Sequence, residues 1–159
     1  MAIRNIVKFG DEILLKKCRP VTKFDERLHE LIDDMTETMV SADGVGLAAP
    51  QVGILRRIVT IDVGDGPLVM VNPEIVKESG EQRELEGCLS CPGQYGYTIR
   101  PMNVTAKAQD RNGDWFELEE EGLLARAICH ELDHLEGTLF FDHVVEMVDM
   151  DALEEAEAE

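Results

Sequence analysis

Ala127-Ile128-Cys129-His130-Glu131-Leu132-Asp133-His134-Leu135-Glu136-Gly137 decides how the rest of the chain is read. It carries the pattern H-E-x-x-H. Good helix formers lead into it from Gly122-Leu123-Leu124-Ala125-Arg126, and Gly137 supplies a stop, so the stretch reads as a helix. Residues four apart on a helix share a face, with Cβ atoms about 5–6 Å apart. His130 and His134 can therefore address one ion. Glu131 lies beside the first of them, placed to handle a proton on a metal-bound water. The plainer reading is a pair of core histidines. It has to bury His130, Glu131, Asp133 and His134 among Leu124, Ile128, Leu132 and Leu135, at several kcal/mol if they lack partners. A metal ion removes that difficulty.

The third ligand is the discriminating question. The longer pattern H-E-x-x-H-x-x-G-x-x-H fits at Gly137, but its last position is Phe140, and His143 comes three residues late. A glutamate some twenty residues downstream is a second option, and Glu154 and Glu155 stand there in an acidic tail. Cys88 is the third, giving a site of two histidines and one cysteine with a position left open for water. Cys88-Leu89-Ser90-Cys91 is also a C-x-x-C pair. With His130 and His134 it could close a structural zinc site in a non-enzymatic binding module. Residues three apart on an extended strand point to opposite faces, so both thiols reach one ion only across a tight turn. A structural site also has no use for Glu131.

Composition narrows the class. A chain of 159 residues suits one domain with a sizeable core. The formal net charge of −18, from 33 acidic and 15 basic residues, argues against nucleic acid or an anionic membrane as the main partner. Part of that excess is local. The segment 144–159 carries Asp and Glu but no Lys or Arg, and reads as a solvated acidic tail, helical or frayed, after a single catalytic domain spanning 1–143. Met1-Ala2-Ile3-Arg4-Asn5 is not followed by the apolar core of a signal peptide, and no apolar run is long enough to span a bilayer. Cys18, Cys88, Cys91 and Cys129 then read as free thiols or metal ligands in a reducing cytoplasm.

Upstream, Asp11 to Lys17 predicts a short helix ended before Pro20. Asp25 caps a longer one running to Val40, with Leu28, Leu31, Ile32, Met35 and Met39 on its buried face. Gly44-Val45-Gly46-Leu47-Ala48-Ala49-Pro50-Gln51 fits a dinucleotide fingerprint only superficially, because a helix precedes it and Pro50 interrupts any helix after it. Its small residues instead let another backbone approach, such as a peptide adding itself as a strand. Strands are expected at Arg57–Asp62, Pro67–Val71 (broken by Asn72-Pro73, with Glu74–Lys77 able to resume it), Tyr97–Arg100 and Asn103–Ala108. Asn112-Gly113 turns the last of these into Trp115–Leu118. Short strands followed by a site-bearing helix imply an α+β fold.

Three segments together resemble the bacterial peptide deformylase family. Its motifs G-φ-G-φ-A-A-P-Q, E-G-C-L-S and H-E-φ-D-H, with φ apolar, stand here at Gly44–Gln51, Glu86–Ser90 and His130–His134, in the family's order and spacing. The resemblance implies antiparallel sheets packed around a central metal-binding helix. It implies a hydrolase that removes the formyl group from the N-terminal methionine of nascent polypeptides and releases formate. Cys88, His130 and His134 would hold the ion, usually Fe²⁺, with Zn²⁺, Ni²⁺ or Co²⁺ as substitutes. Glu131 would be general base and then general acid to a metal-bound hydroxide. Gln51 and the Leu89 N–H would bind the oxyanion. Val45 and Gly46 would form the peptide-binding edge, and Leu123 and Ala127, spaced along one helix face with His130, would wall the methionine pocket. Arg100 is expected to pair with a carboxylate near the site, with Glu86 the candidate. Cys91 departs from the aliphatic residue common at its position, and Cys129 from the usual Gln. Cys18, Cys91, Cys129 and His143 receive no role.

Overall fold

The structure is a computed structural model, and it describes residues 2–148. Helix α1 (Glu26–Ser41) begins where the Asp25 carboxylate accepts the Leu28 N–H at 3.1 Å, so the expected cap is in place. It buries Leu28, Ile32, Met35 and Met39 at helical spacing. The segment expected as a helix from Asp11 to Lys17 forms only one 3-10 turn, Glu12–Leu15.

The strands are β1 (Gly46–Ala48), β2 (Ile58–Ile61), β3 (Leu68–Ser79), β4 (Gln82–Cys88), β5 (Cys91–Arg100), β6 (Asn103–Gln109), β7 (Trp115–Glu121) and β8 (Val144–Val148). Helix α2 (Gly122–Leu135) lies between β7 and β8. A five-stranded sheet has the order β1-β2-β3-β6-β7, and a three-stranded sheet the order β4-β5-β8. Every pairing between these strands is antiparallel, and the α+β expectation holds.

Alternation on β2 explains where the helices sit. Val59 and Ile61 join the core that contains Ile128, Leu132 and Leu135 of α2. Ile58 joins the core built on Ile32, Met35 and Met39 of α1, and Thr60 meets Thr36 of α1 at 3.1 Å. A strand covered on both faces is buried at all four positions. Helix α2 is thus fixed by packing along its length. It stops at Gly137, where φ is +75° and an added Cβ would lie 2.5 Å from the Leu15 carbonyl oxygen.

Two expectations need correction. Asn72-Pro73 does not break the strand, because β3 runs through it on a bulge between Val71 and Glu74, and Glu74–Lys77 continues it. Asn72 takes φ +51°. It is held there because its Oδ1 accepts from Val21 N at 2.8 Å, while its Nδ2 donates to Val21 O at 2.9 Å and Gln109 Oε1 at 2.8 Å. The expectation that the segment after 143 is helical or frayed is the second. Residues 144–148 are strand, paired with β5 from Tyr95↔Val148 to Thr98↔Val144. Val144, Val145 and Val148 favour that conformation despite the acidic surroundings. The remainder of the expected tail, 149–159, lies outside the described residues.

Candidate metal centre

The three motif segments converge on one cleft of about 430 Å³. Helix α2 supplies one wall with Leu123, Arg126, Ala127, His130 and Glu131, and the residues around Gly46 and Cys88 supply others. Cys88 ends β4, at the hairpin turn Leu89-Ser90. The N-terminal segment straps both neighbouring turns into place. Val7 N donates to Gln51 O and Phe9 N to Ser90 O, each at 2.7 Å.

Among the described residues, one group could hold a metal ion: Cys88, His130 and His134, whose ligand atoms all lie within 4.8 Å of one another. Cys88 Sγ is 3.4 Å from His134 Nε2. Cys91 is absent from the group although it faces Cys88 across the hairpin. Glu154 and Glu155 lie outside the described residues.

The His130 ring is set from behind. Its Nδ1–H donates to Glu86 Oε1 at 2.5 Å, which leaves Nε2 as the free lone pair. Glu86 accepts two bonds from Arg100, Nη2 to Oε1 at 2.7 Å and Nε to Oε2 at 3.1 Å. Thr98 Oγ1 adds a third donor at 2.7 Å. Arg100 also reaches Asp133 Oδ2 at 2.7 Å, and His143 Nε2 meets the same oxygen at 3.0 Å. The expected partner of Arg100 is therefore Glu86, with Asp133 as a second. Burial opposes ionisation of Glu86, yet His130 and Arg100 outweigh it and hold the carboxyl well below its ordinary range.

Glu131 shows the opposite balance. Burial raises its pKa above the ordinary value, against the pull of His130 and His134. Its Oε1 is buried and without a hydrogen-bond partner, as is His134 Nδ1. Its Oε2 lies against Gly46, where an added Cβ would come within 2.5 Å. The Cys88 thiol is held well below its usual range, first by the neighbouring Cys91 thiol, against the effect of burial, with His130 and His134 assisting. A thiolate, two imidazoles and an unpartnered buried carboxylate suit a divalent cation with an open position. The residues present fit the group that the sequence implied.

Gln51 is buried, with Oε1 accepting from Ala48 N at 2.9 Å. Its Nε2 points toward Ser90 Oγ at 3.1 Å and Cys88 Sγ at 3.5 Å. Leu89 and the exposed Val45 line the cleft, as do Gly46, Leu123 and Ala127. β1 pairs only with β2, so its other edge is an open strand edge on the cleft side. The link from Glu86 to His130 escapes sequence reasoning, which pairs Glu86 only with Arg100. Ser90 and Tyr95 are missed as well. Ser90 stands in the E-G-C-L-S motif, where the cysteine alone signals metal chemistry.

Fold and site suit a metal-dependent hydrolase whose ligand group opens on the cleft. The family profile described as Polypeptide deformylase matches residues 3–150. A peptide deformylase of Clostridium botulinum is 61% identical over 142 residues, covering 89% of this chain and 97% of that protein. One from Caldicellulosiruptor bescii is 54% identical over 155 residues, covering 98% and 93%. Among solved structures, peptide deformylase from Thermotoga maritima superposes with a TM-score of 0.88 at 45% identity, covering 89% of this chain and 97% of that one. That from Synechococcus elongatus, in complex with actinonin, gives 0.88 at 40% identity, covering 98% and 86%. The chain belongs to the polypeptide deformylase family, and it is an enzyme of that activity. The non-enzymatic zinc module is not supported. No helix among the described residues is long and apolar enough to cross a membrane.

Proposed function

We propose that the chain deformylates the N-terminal methionine of nascent polypeptides in the bacterial cytoplasm, with Fe²⁺ as the cellular ion and no direct contact with nucleic acid or membrane. The convergence of Cys88, His130 and His134 beside Glu131 carries this reading. When bound, the ion supplies a Lewis acid that polarises the formyl group and acidifies water.

The chain's own groups then divide the work. Glu131 takes a proton from the attacking water and returns it to the leaving amine, and the raised pKa of its buried carboxyl suits both tasks. The Gln51 Nε2 and the Leu89 N–H donate to the formyl oxygen as charge builds there; losing one such donor costs about 10²–10³ in rate. Glu86, clamped by Arg100 and Thr98, holds His130 in the tautomer and orientation a ligand needs. The substrate backbone adds to the free edge at Val45 and Gly46. Leu123 and Ala127 wall the space for the methionine side chain, and a narrow site beside Glu131 rejects acyl groups larger than formyl.

Paired variants test the assignment. Glu131→Ala should keep its metal and lose formate release, while Cys88→Ala should lose both. A Cys88→Ala protein with full metal content would overturn the ligand set. Actinonin, the ligand of the Synechococcus relative, should raise the unfolding temperature of the wild type through binding linkage.

A further inference from the structure

We propose that Cys88 and Cys91 form a site of reversible covalent modification, in which Cys91 is the resolving thiol that captures an oxidised Cys88 as a disulfide. The inference rests on the reading of Cys88 as a ligand.

The hairpin places the pair. β4 ends at Cys88 and β5 begins at Cys91, and the two are direct cross-strand partners. Opposed residues of an antiparallel pair have Cα atoms about 4.5–5.5 Å apart, inside the span of about 4.4–6.8 Å that a disulfide needs. Directly opposed residues of an antiparallel pair carry their side chains on the same face of the ribbon, so the two sulfurs leave the hairpin on one side. Cys91 lies outside the ligand group, so holding the ion does not occupy it. Accessibility also differs in the required sense. Cys88 lines the open cleft, whereas Cys91 is only 3% exposed. An oxidant entering the cleft reaches Cys88, and the product faces Cys91. All four cysteines are free thiols, and Cys18 and Cys129 are buried.

The chemistry balances with hydrogen peroxide as oxidant. The Cys88 sulfur attacks one peroxide oxygen, an S–O bond forms, the O–O bond breaks, and the departing hydroxide takes up a proton as water. The Cys91 sulfur then attacks the Cys88 sulfenic sulfur. An S–S bond forms, the S–O bond breaks, and hydroxide leaves with the Cys91 proton as a second water. Two thiols lose two electrons, and the peroxide gains them. The ligand group loses its sulfur, so the ion is released. A dithiol reductant reverses the step by exchange. Without Cys91, the sulfenic acid proceeds to sulfinic acid, which such reductants do not restore.

The test treats metal-loaded wild type, Cys91→Val and Cys91→Ser with a small excess of hydrogen peroxide. Intact mass, the count of alkylatable thiols, metal content and formate release are read before treatment, after it, and after dithiothreitol with fresh metal. The wild type should lose two hydrogens and the Cys88 and Cys91 thiols, release its metal, and recover activity. Both variants should hold metal and release formate before treatment, then gain two or three oxygens on Cys88 and recover at least about tenfold less of their own starting activity than the wild type does. Oxygen uptake at Cys88 in the wild type as fast as in the variants would overturn the proposal, as would a disulfide engaging Cys18 or Cys129. Failure of the underlying function would show separately, as untreated wild type without metal or formate release.

Discussion

Replacing Gly46 by alanine probes how closely the Glu131 carboxylate is placed. Gly46 does not have the positive φ that would itself demand glycine, so the substitution leaves backbone conformation alone. The added Cβ would lie 2.5 Å from Glu131 Oε2 and 2.9 Å from its Cδ and Cγ. Ordinary contact begins at 3.4 Å, so the carboxylate must retreat by about 0.9 Å from its oxygen's position (3.4 less 2.5). It cannot retreat freely, because Glu131 is buried on a helix packed into the core. A catalytic group misplaced by about 1 Å costs about 10²-fold in rate. The expected result is kcat for formate release from a formyl-methionyl peptide down by about 10², with KM within about threefold because the edge backbone of β1 is unchanged. Metal content should match the wild type. Gly44→Ala is the internal control. Its Cβ also comes within 2.5 Å of a neighbour, but that atom is Leu89 Cδ1, the tip of a side chain that can swing. It should therefore cost far less than Gly46→Ala. A Gly46→Ala enzyme with unchanged kcat, or one damaged only in KM, would refute the reasoning that this glycine exists to seat Glu131.

The buried network and the thiols yield further tests. Arg100→Met strips Glu86 of its main counter-ion, and breaking a buried pair costs about 3–5 kcal/mol, which urea unfolding of the metal-free protein will read. The folded pKa of Glu86 lies below its unfolded value of about 4.3, so its contribution is fully present above that pH and drains away as pH falls toward the folded value. Glu86→Gln should accordingly flatten the acid side of the stability profile, and an unchanged slope would count against it. In metal-free protein at neutral pH, iodoacetamide should label Cys88 first, since burial pushes the thiols of Cys18 to about 11 and of Cys129 to about 12. Peptide mapping that finds Cys18 or Cys129 labelled first would contradict this. The pKa of His130 is raised, because Glu131, Cys88 and Glu86 outweigh the effect of burial. Metal binding should therefore release protons near neutrality, seen calorimetrically as a dependence of the binding heat on buffer ionisation.

How far the chain is legible from its sequence depends on whether the signal is periodic or tertiary. His130 and His134 are legible as a pair because four residues on a helix is about one turn, whereas Cys88 is one of three options for a third ligand until the resemblance of its E-G-C-L-S segment singles it out. Strand ends are less legible because they depend on partners. Asn72 and Pro73 carry strong breaking propensities, yet two side-chain bonds to Val21 and one to Gln109 convert the break into a bulge. Val144 to Val148 sits in an acidic stretch, and nothing local reveals that β5 offers it an open edge. The groups behind the ligands are the least visible. Glu86 reaches His130 across 44 positions, and only the fold of β4 against α2 makes that link. The same distinction explains Gly46. Read alone, it allows a peptide backbone to approach; placed beside α2, it also makes room for the Glu131 carboxylate. On the proposed roles, one residue ties the binding edge to the base, and a side chain there would disturb the chemistry before it disturbed binding.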